Sequence, residues 1–405
     1  MEGRVTVLIR EFEPERDRDA ADAIDRVCEV GPSGKMTLFT DLLGDPVSRV
    51  RHSPAFLMLV AETVGPATEI VGLIRGCVKT VTCGKKPTRS GAATAKHQNP
   101  STPIYTKVGY ILGLRVSPYH RRMGIGLKLV REMEKWFRDT GAEYAYMATD
   151  KDNEASVRLF TGRCGYSKFR TPAILVHPVF AHRSPAANLA TMIHLSPTDA
   201  ELLYRRRFST VEFFPRDIDA VLHNPLSLGT FVAVPRGTVW AGITSFLSDP
   251  PSSWAVVSVW NCKDVFRLEI RGAGRFRRGL AWASRVVDRA MPWLRIPSVP
   301  DLFHPFGVYF LYGVGGEGKE AAEMARALCG HAHNMARMAG GVGVVAAEVA
   351  SCEPLREGIP HWRRLSCAED LWCVKRLAED YSDGAVGDWT KSPPGTTIFV
   401  DPREF

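Results

Sequence analysis

The feature that most narrows what this chain can fold into is a change of hydrophobic period between Ile104 and Asp139. Strand-like Ile104 to Val116 passes through Val116-Ser-Pro-Tyr-His-Arg-Arg-Met-Gly124-Ile-Gly126 into a stretch with Ile125, Leu129, Met133, Trp136 and Phe137 on one helical stripe. Lys128, Arg131, Glu132 and Lys135 take the opposite face, so the helix is expected to lie on a sheet. The first N–H groups of a helix have no intrahelical partner and carry the positive end of its dipole, which suits an anion. Gly124 and Gly126 would let a ligand approach the backbone, and Arg121 or Arg122 would add charge-assisted contacts. The loop can therefore cradle a pyrophosphate. A bare Gly-x-Gly is an ordinary turn; the strand before it and the helix after it give this one its weight.

The neighbouring segments supply the sheet. Val5 to Arg10 reads as a strand and Glu15 to Cys28 as a helix carrying Ala20, Ala21, Ile24 and Val27. Phe56 to Ala61 and Ile70 to Val81 flank Val64-Gly65-Pro66 as an antiparallel hairpin. Tyr144 to Ala148 is a strand, Asn153 to Phe160 a short helix, and Ile174 to Val179 a closing strand. The expected order is β-α-β-β-β-α-β-α-β, with residues 82–103, basic and rich in small residues, as a mobile loop.

At 405 residues the chain exceeds one ordinary core. The expected division is a first domain at 1–183, a linker at 184–190 and a second domain at 191–405. The second begins with a hairpin of Phe231 to Pro235 and Trp240 to Leu247. It continues with strand Gly307 to Tyr312, helix Lys319 to Met338, strand Val342 to Val349 and strand Leu371 to Leu377. This repeats the first domain's order, but the spacing drifts: Phe56 to Phe231 is 231 − 56 = 175, whereas Val116 to Val314 is 314 − 116 = 198. An insertion is expected within Trp254 to Pro300, including a basic amphipathic helix from Arg275 to Met291.

Composition excludes some classes. With 45% hydrophobic and 24% charged residues, and no apolar run of the roughly 18 residues a membrane span needs, the chain reads as soluble, without a secretion signal. Nine cysteines without a CxxC pair predict neither disulfides nor structural zinc. The net charge of +8 fits a phosphorylated ligand as readily as solubility.

Arg-x-x-Gly-x-Gly after a Val-x-Pro strand end, then Asn153, Leu159-Phe160 and Gly165-Tyr166, resembles the two signature motifs of the GNAT N-acetyltransferase superfamily. The second half, with Phe306 to Glu317, Gly358-Ile-Pro-His-Trp362 and the tail from Trp389 to Phe405, is similar to the plant Hookless proteins, and that likeness runs essentially end to end. The resemblance implies an α/β (α+β) GNAT acyl-CoA N-acyltransferase fold with two domains, the second a degenerate GNAT-like repeat. It implies acetyl-CoA as co-substrate, no metal, and a protein amine acceptor, with histones and other regulatory proteins among the candidates. It also implies a plant protein acting in growth and hormone response, in the nucleus or otherwise the cytoplasm. The cofactor-binding set carried over is Leu114, Val116, Arg121, Arg122, Met123, Gly124, Ile125, Gly126, Asn153 and Phe160.

Family members often place a carboxylate base on the fourth strand, where this chain has Leu112 and Gly113. Asp150, Glu62 and Tyr166 are the candidate catalytic residues. Asp152 and His120 are neighbouring alternatives, although helix capping, a solvated strand end or loop packing accounts for each of these acids and the histidine. The family's thiolate-protonating tyrosine is replaced by Phe160, and Thr161 to Cys164 is one residue longer than the family spacing. In the second domain Gly313-Val-Gly-Gly-Glu317-Gly318 lacks arginines and carries a carboxylate, so a non-catalytic partner domain is expected there. The basic segments Lys85 to Lys96, Arg205 to Arg207 and Arg275 to Arg278 read as solvated surface, and direct nucleic-acid binding is not expected. The alternative function is a catalytically weak or inactive GNAT-fold regulatory protein.

Overall fold

In the computed structural model, the residues described are 6–29, 36–84, 103–185, 190–378 and 388–405. Most of the expected basic loop at 82–103 and the centre of the expected linker at 184–190 lie outside them.

The first unit comprises β1 (Val7–Glu11), α1 (Pro14–Val27), β2 (Thr37–Asp41), β3 (Ala55–Thr63), β4 (Ile70–Thr82), β5 (Tyr105–Val116), α2 (Ile125–Asp139), β6 (Tyr144–Asp150), α3 (Glu154–Val157), β7 (Ser167–Arg170) and β8 (Ala173–Pro178). After the crossing come β9 (Ala190–Leu195), α4 (Pro197–Phe208), α5 (Ile218–Leu222), β10 (Ser227–Pro235), α6 (Ile243–Ser248), β11 (Trp254–Asn261), β12 (Arg267–Arg271), α7 (Arg275–Ala290), β13 (Gly307–Glu317), α8 (Ala321–Ala339), β14 (Val342–Val349) and β15 (Asp370–Arg376).

These strands form two main sheets. One runs β1-β3-β4-β5-β6-β15-β7, the other β8-β14-β13-β11-β10-β9, and β2 pairs with β12 between the units. The expected closing strand of the first unit, Ile174 to Val179, is corrected: β8 pairs with β14 in the second sheet, and β15 takes the place beside β6. The two sheets thus trade a strand across the division in chain order at 184–190. Both strands are short apolar runs, Ala173 to Val176 and Leu371 to Val374, so sequence pattern alone cannot choose the partner.

The repeat is visible in register. Val108 pairs with Tyr144 in the first sheet and Val308 with Val344 in the second, an offset of 200 at both ends (308 − 108 and 344 − 144). The expected strand Trp240 to Leu247 is also corrected. Gly242 at φ +96 starts helix α6, and the partner of β10 is the wholly buried β11. Trp254 to Asn261 therefore belongs to the repeat, and the inserted material is β12 with α7.

Glycines let α2 lie close to its sheet. A Cβ at Gly109 would lie 2.5 Å from the Phe137 ring, and one at Gly76 would lie 2.4 Å from the Met133 sulfur. Ile125, Leu129, Val130, Met133 and Phe137 are each at most 2% exposed, and each such burial contributes about 1.5–3 kcal/mol. A second core lies between the two sheets, where Tyr110, Tyr146 and Trp372 meet Val256, Phe310 and Tyr312. The segment Ile398 to Val400 packs into the same core.

Candidate active site

The loop from Ser117 to Gly124 is built by two left-handed residues, Arg122 at φ 65 and Gly124 at φ 80. The first α2 hydrogen bond runs from the Lys128 N–H to the Gly124 carbonyl, so the N–H groups ahead of it have no intrahelical partner. No acid stands in the first turn of α2, which leaves the positive end of the dipole unopposed. Arg121, Arg122, Met123 and Gly124 are exposed, and Ile125 turns into the core at 2% exposure. The Arg121 Nε–H folds back on the Val116 carbonyl at 3.4 Å.

Around Gly126 the two sequence motifs meet. A Cβ there would lie 3.4 Å from Leu159, 3.8 Å from Val116 and 3.9 Å from Leu114. Asn153 caps α3, its side-chain oxygen accepting the Ser156 N–H at 3.3 Å. The extra residue before Cys164 has a structural counterpart, because Arg158–Arg163 is wound as a π-helix and the Cys164 N–H reaches back to the Leu159 carbonyl. A π-turn absorbs one additional residue without ending the helix. Phe160 is 1% exposed and meets Tyr166 edge-on at 5.2 Å, so both pack in the core beneath α2.

Beside this loop the sheet opens. β5 and β6 pair in parallel only from Val108 with Tyr144 to Ile111 with Met147. Beyond that point Leu112 to Val116 remain paired with β4, and among the described residues no strand lies along their other edge, toward β6. A bulge at Gly113 (φ 62) marks the change, with the buried Arg75 beneath it. Arg75 is held by Asp25 at 2.5 Å and by the Pro46 carbonyl. The sequence positions Leu112 and Gly113 thus provide a core side chain and a backbone bend.

Three carboxylates, from β6, β15 and β14, come together on the β6 side of the gap. Asp150, at the end of β6, pairs in register with Asp370 of β15. Glu348 of β14 accepts the Trp372 indole N–H at 2.9 Å. Burial, then the Asp150 charge, raises the Asp370 carboxyl to about 7, and burial pushes Glu348 well above the usual carboxylate range. Sequence reasoning missed Asp370 and Glu348 because only the strand exchange and the facing of the two sheets bring them beside Asp150.

The other candidates lie elsewhere. Glu62 on β3 is bound by Arg10 at 2.8 Å and by Arg16, and the Arg10 guanidinium holds its carboxyl below the usual range. The Tyr166 hydroxyl makes no hydrogen bond among the described residues, and burial with the Glu134 charge pushes it well above its ordinary pKa. Cys164 is buried and pushed up to about 11 by that burial. His120 lies 3.5 Å from the Ser117 hydroxyl within the loop, and the Asp152 N–H is tied to the Asp150 carboxylate at 2.8 Å.

The second unit keeps the bulge, at Gly313 (φ 60), but not the loop. β13 connects to α8 through Gly318 to Glu320 alone. Glu317 precedes that turn and Glu323 stands in the first turn of the helix, which places negative charge where the first unit has none. Tyr204 donates to the Gly313 carbonyl at 3.2 Å, and Phe208 packs over Gly315.

A splayed parallel strand pair, a bulge and an anion loop at the start of the following helix define an acyl-CoA N-acyltransferase of the GNAT fold. The acetyltransferase (GNAT) family model matches residues 44–166. The chain is 63% identical over 413 residues to the probable N-acetyltransferase HLS1-like of Arabidopsis thaliana, spanning 99% of this chain and all of that one. It is 40% identical over 441 residues to the acetyl transferase GW6a of Oryza sativa subsp. japonica, spanning 99% of this chain and 98% of that one. It belongs to the plant Hookless-type GNAT N-acetyltransferases. The fold extends to distant proteins. Saccharomyces cerevisiae N-myristoyltransferase with bound myristoyl-CoA superposes with TM-score 0.51 at 10% identity, over 91% of this chain and 79% of that one. A glucosamine N-acetyltransferase region of a fungal multi-domain enzyme gives TM-score 0.51 at 14% identity, over 91% of this chain and 38% of that one.

Proposed function

We propose that the chain transfers acetyl from acetyl-CoA to an amine of a protein, with histones among the candidate acceptors, in plant growth and hormone-response regulation in the nucleus. The setting and the acceptor class rest on the likeness to Hookless proteins. The observation that carries the chemistry is the end of β5–β6 pairing at Ile111 and Met147 beside an acid-free helix start.

Acetyl-CoA supplies an activated thioester. The N–H groups at the start of α2, with Arg121 and Arg122, hold pyrophosphate, and Met123 and Ile125 complete that loop. The free edge from Leu112 to Val116 hydrogen-bonds the pantetheine amides in place of a neighbouring strand. Leu114, Gly126 and Leu159 form its wall, with Asn153 fixing the helix behind it and Phe160 supporting it from the core. The amine arrives from the inter-sheet side, where Asp150 and Asp370 take up its proton. A carboxyl near 7 is matched to that task at neutral pH. The second unit, 191–405, lends β15 with Asp370 to this site and has no coenzyme site of its own.

Calorimetric titration with acetyl-CoA tests the site. Gly124→Glu forces a side chain into a left-handed position and a carboxylate toward the phosphates, so the saturable binding expected of the wild type should be lost in the variant. Retained binding would remove the loop from the site. A regulatory role without turnover is favoured by one observation, the absence of a hydroxyl at buried Phe160. It predicts that Gly124→Glu still rescues a plant lacking the protein.

A further inference from the structure

Helix α7 is turned inside out. Its buried residues are Ala281 and Asp288, and Asp288 is the tether, accepting the Ala181 N–H at 2.9 Å, His182 Nδ1–H at 2.7 Å and the Ser298 hydroxyl at 2.5 Å. The apolar side chains face solvent: Phe276 is 84% exposed, Leu280 63%, Trp282 62% and Val286 43%. Past Pro292 the surface continues through Trp293 at 71% and Leu294 at 51%. Phe276 and Leu280 stand four apart, as do Trp282 and Val286, so they form two rows roughly 120° apart on the solvent side of the helix. Helices in proteins owe most of their stability to a packed apolar face, and a contiguous exposed apolar surface rimmed by charge marks an interaction site.

The rim is basic. No ion pair among the described residues engages Arg275, Arg277, Arg278, Arg289 or Arg295. A second copy presenting the same face would set arginine against arginine, so the complementary partner is acidic. Gly279 lies in the middle of the apolar face, and a Cβ there would meet nothing within 4 Å. Glycine in a helix interior costs roughly 1 kcal/mol relative to alanine, and no internal contact here explains it. It leaves a notch between the rows, shaped for a side chain of another helix rather than for fluid acyl chains.

We infer that α7 and the Trp293–Leu294 turn form a docking face for an acidic amphipathic helix of a partner protein. A leucine or phenylalanine of that helix would seat over Gly279, and its carboxylates would meet the arginine rim.

The test uses the full chain and a fluorescein-labelled synthetic acidic amphipathic helix of Leu, Glu and Ala, followed by anisotropy. Saturable binding is expected, weakened about tenfold or more by Leu280→Ser and by Gly279→Val, and more strongly by Arg278→Glu with Arg289→Glu. These positions are exposed, so each variant should still melt cooperatively, with Gly279→Val no less stable than the wild type. Failure of the peptide to bind, or binding indifferent to Leu280→Ser and Gly279→Val, overturns the proposal. So does binding only to vesicles containing phosphatidylserine, or a concentration-dependent dimer that Leu280→Ser dissolves. None of these outcomes depends on acetyl transfer.

Discussion

Asp370 stands directly opposite Asp150 in the antiparallel pairing of β15 with β6, 370 − 150 = 220 residues away along the chain. Like charges facing one another in a half-closed site cannot both ionise freely. Burial first, then Asp150, holds the Asp370 carboxyl at about 7.

The sign of the pH effect follows. An aspartate in the unfolded chain releases its proton near 3.9, whereas folded Asp370 keeps it up to about 7. Between those values the folded state binds the extra proton, so Asp370 stabilises at low pH and that contribution is lost as pH rises through about 7. Asp370→Asn should therefore raise Tm at pH 8 and change it little at pH 4. If Asp370 takes the amine proton, the same variant should lose most of kcat while acetyl-CoA binding is kept. Equal Tm shifts at both pH values would contradict the raised pKa.

Packing under α2 gives a stability test. Gly109→Ala would place a Cβ 2.5 Å from the Phe137 ring, and over-packing of this kind costs about 1–3 kcal/mol. Gly126→Ala meets only ordinary contact at 3.4 Å and should fold as well as the wild type. Urea denaturation should separate the two, and a neutral Gly109→Ala would show that α2 lies less tightly on the sheet.

One coenzyme site is expected in each chain. The second unit's short connection and its acids at Glu317 and Glu323 oppose an anion, whereas the first turn of α2 carries no acid. Calorimetry with CoA should give a stoichiometry near one, and the Gly124→Glu chain should retain none. A second, unaffected site would assign ligand binding to 191–405.

The loop ahead of α2 and the helix itself were legible because glycine, arginine and helical period are local signals. The repeat was legible as element order, and Gly113 and Gly313 now place its two bulges at matching strand positions. The strand exchange was not legible, since β8 and β15 are both short continuous apolar runs, Ala173 to Val176 and Leu371 to Val374, and their partners are chosen by long-range packing. That one ambiguity also hid the carboxylate pair, because Asp370 is unremarkable until β15 is set beside β6. Trp240 to Leu247 misled for a different reason: aromatic and branched residues suit a strand, but Gly242 and the better-buried β11 decided otherwise.

The tail at Asp401 to Glu404 is tied to the first sheet by charge. Lys79 of β4 is 3% exposed and contacts Glu404 at 2.6 Å and Asp401 at 3.4 Å. Tyr146 donates to the same Glu404 oxygen at 2.6 Å, and Arg403 bridges Asp401 and Asp217 at 2.7 Å each. Removing one member of a buried ion pair leaves its partner's charge uncompensated, typically at about 3–5 kcal/mol. Lys79→Met should accordingly destabilise the chain by about that amount in urea denaturation. Glu404→Gln should restore part of the loss when added to Lys79→Met, because it removes the charge the lysine had balanced. Additive losses in the double variant would mean that the two residues stabilise the tail independently, through packing rather than through their shared charge.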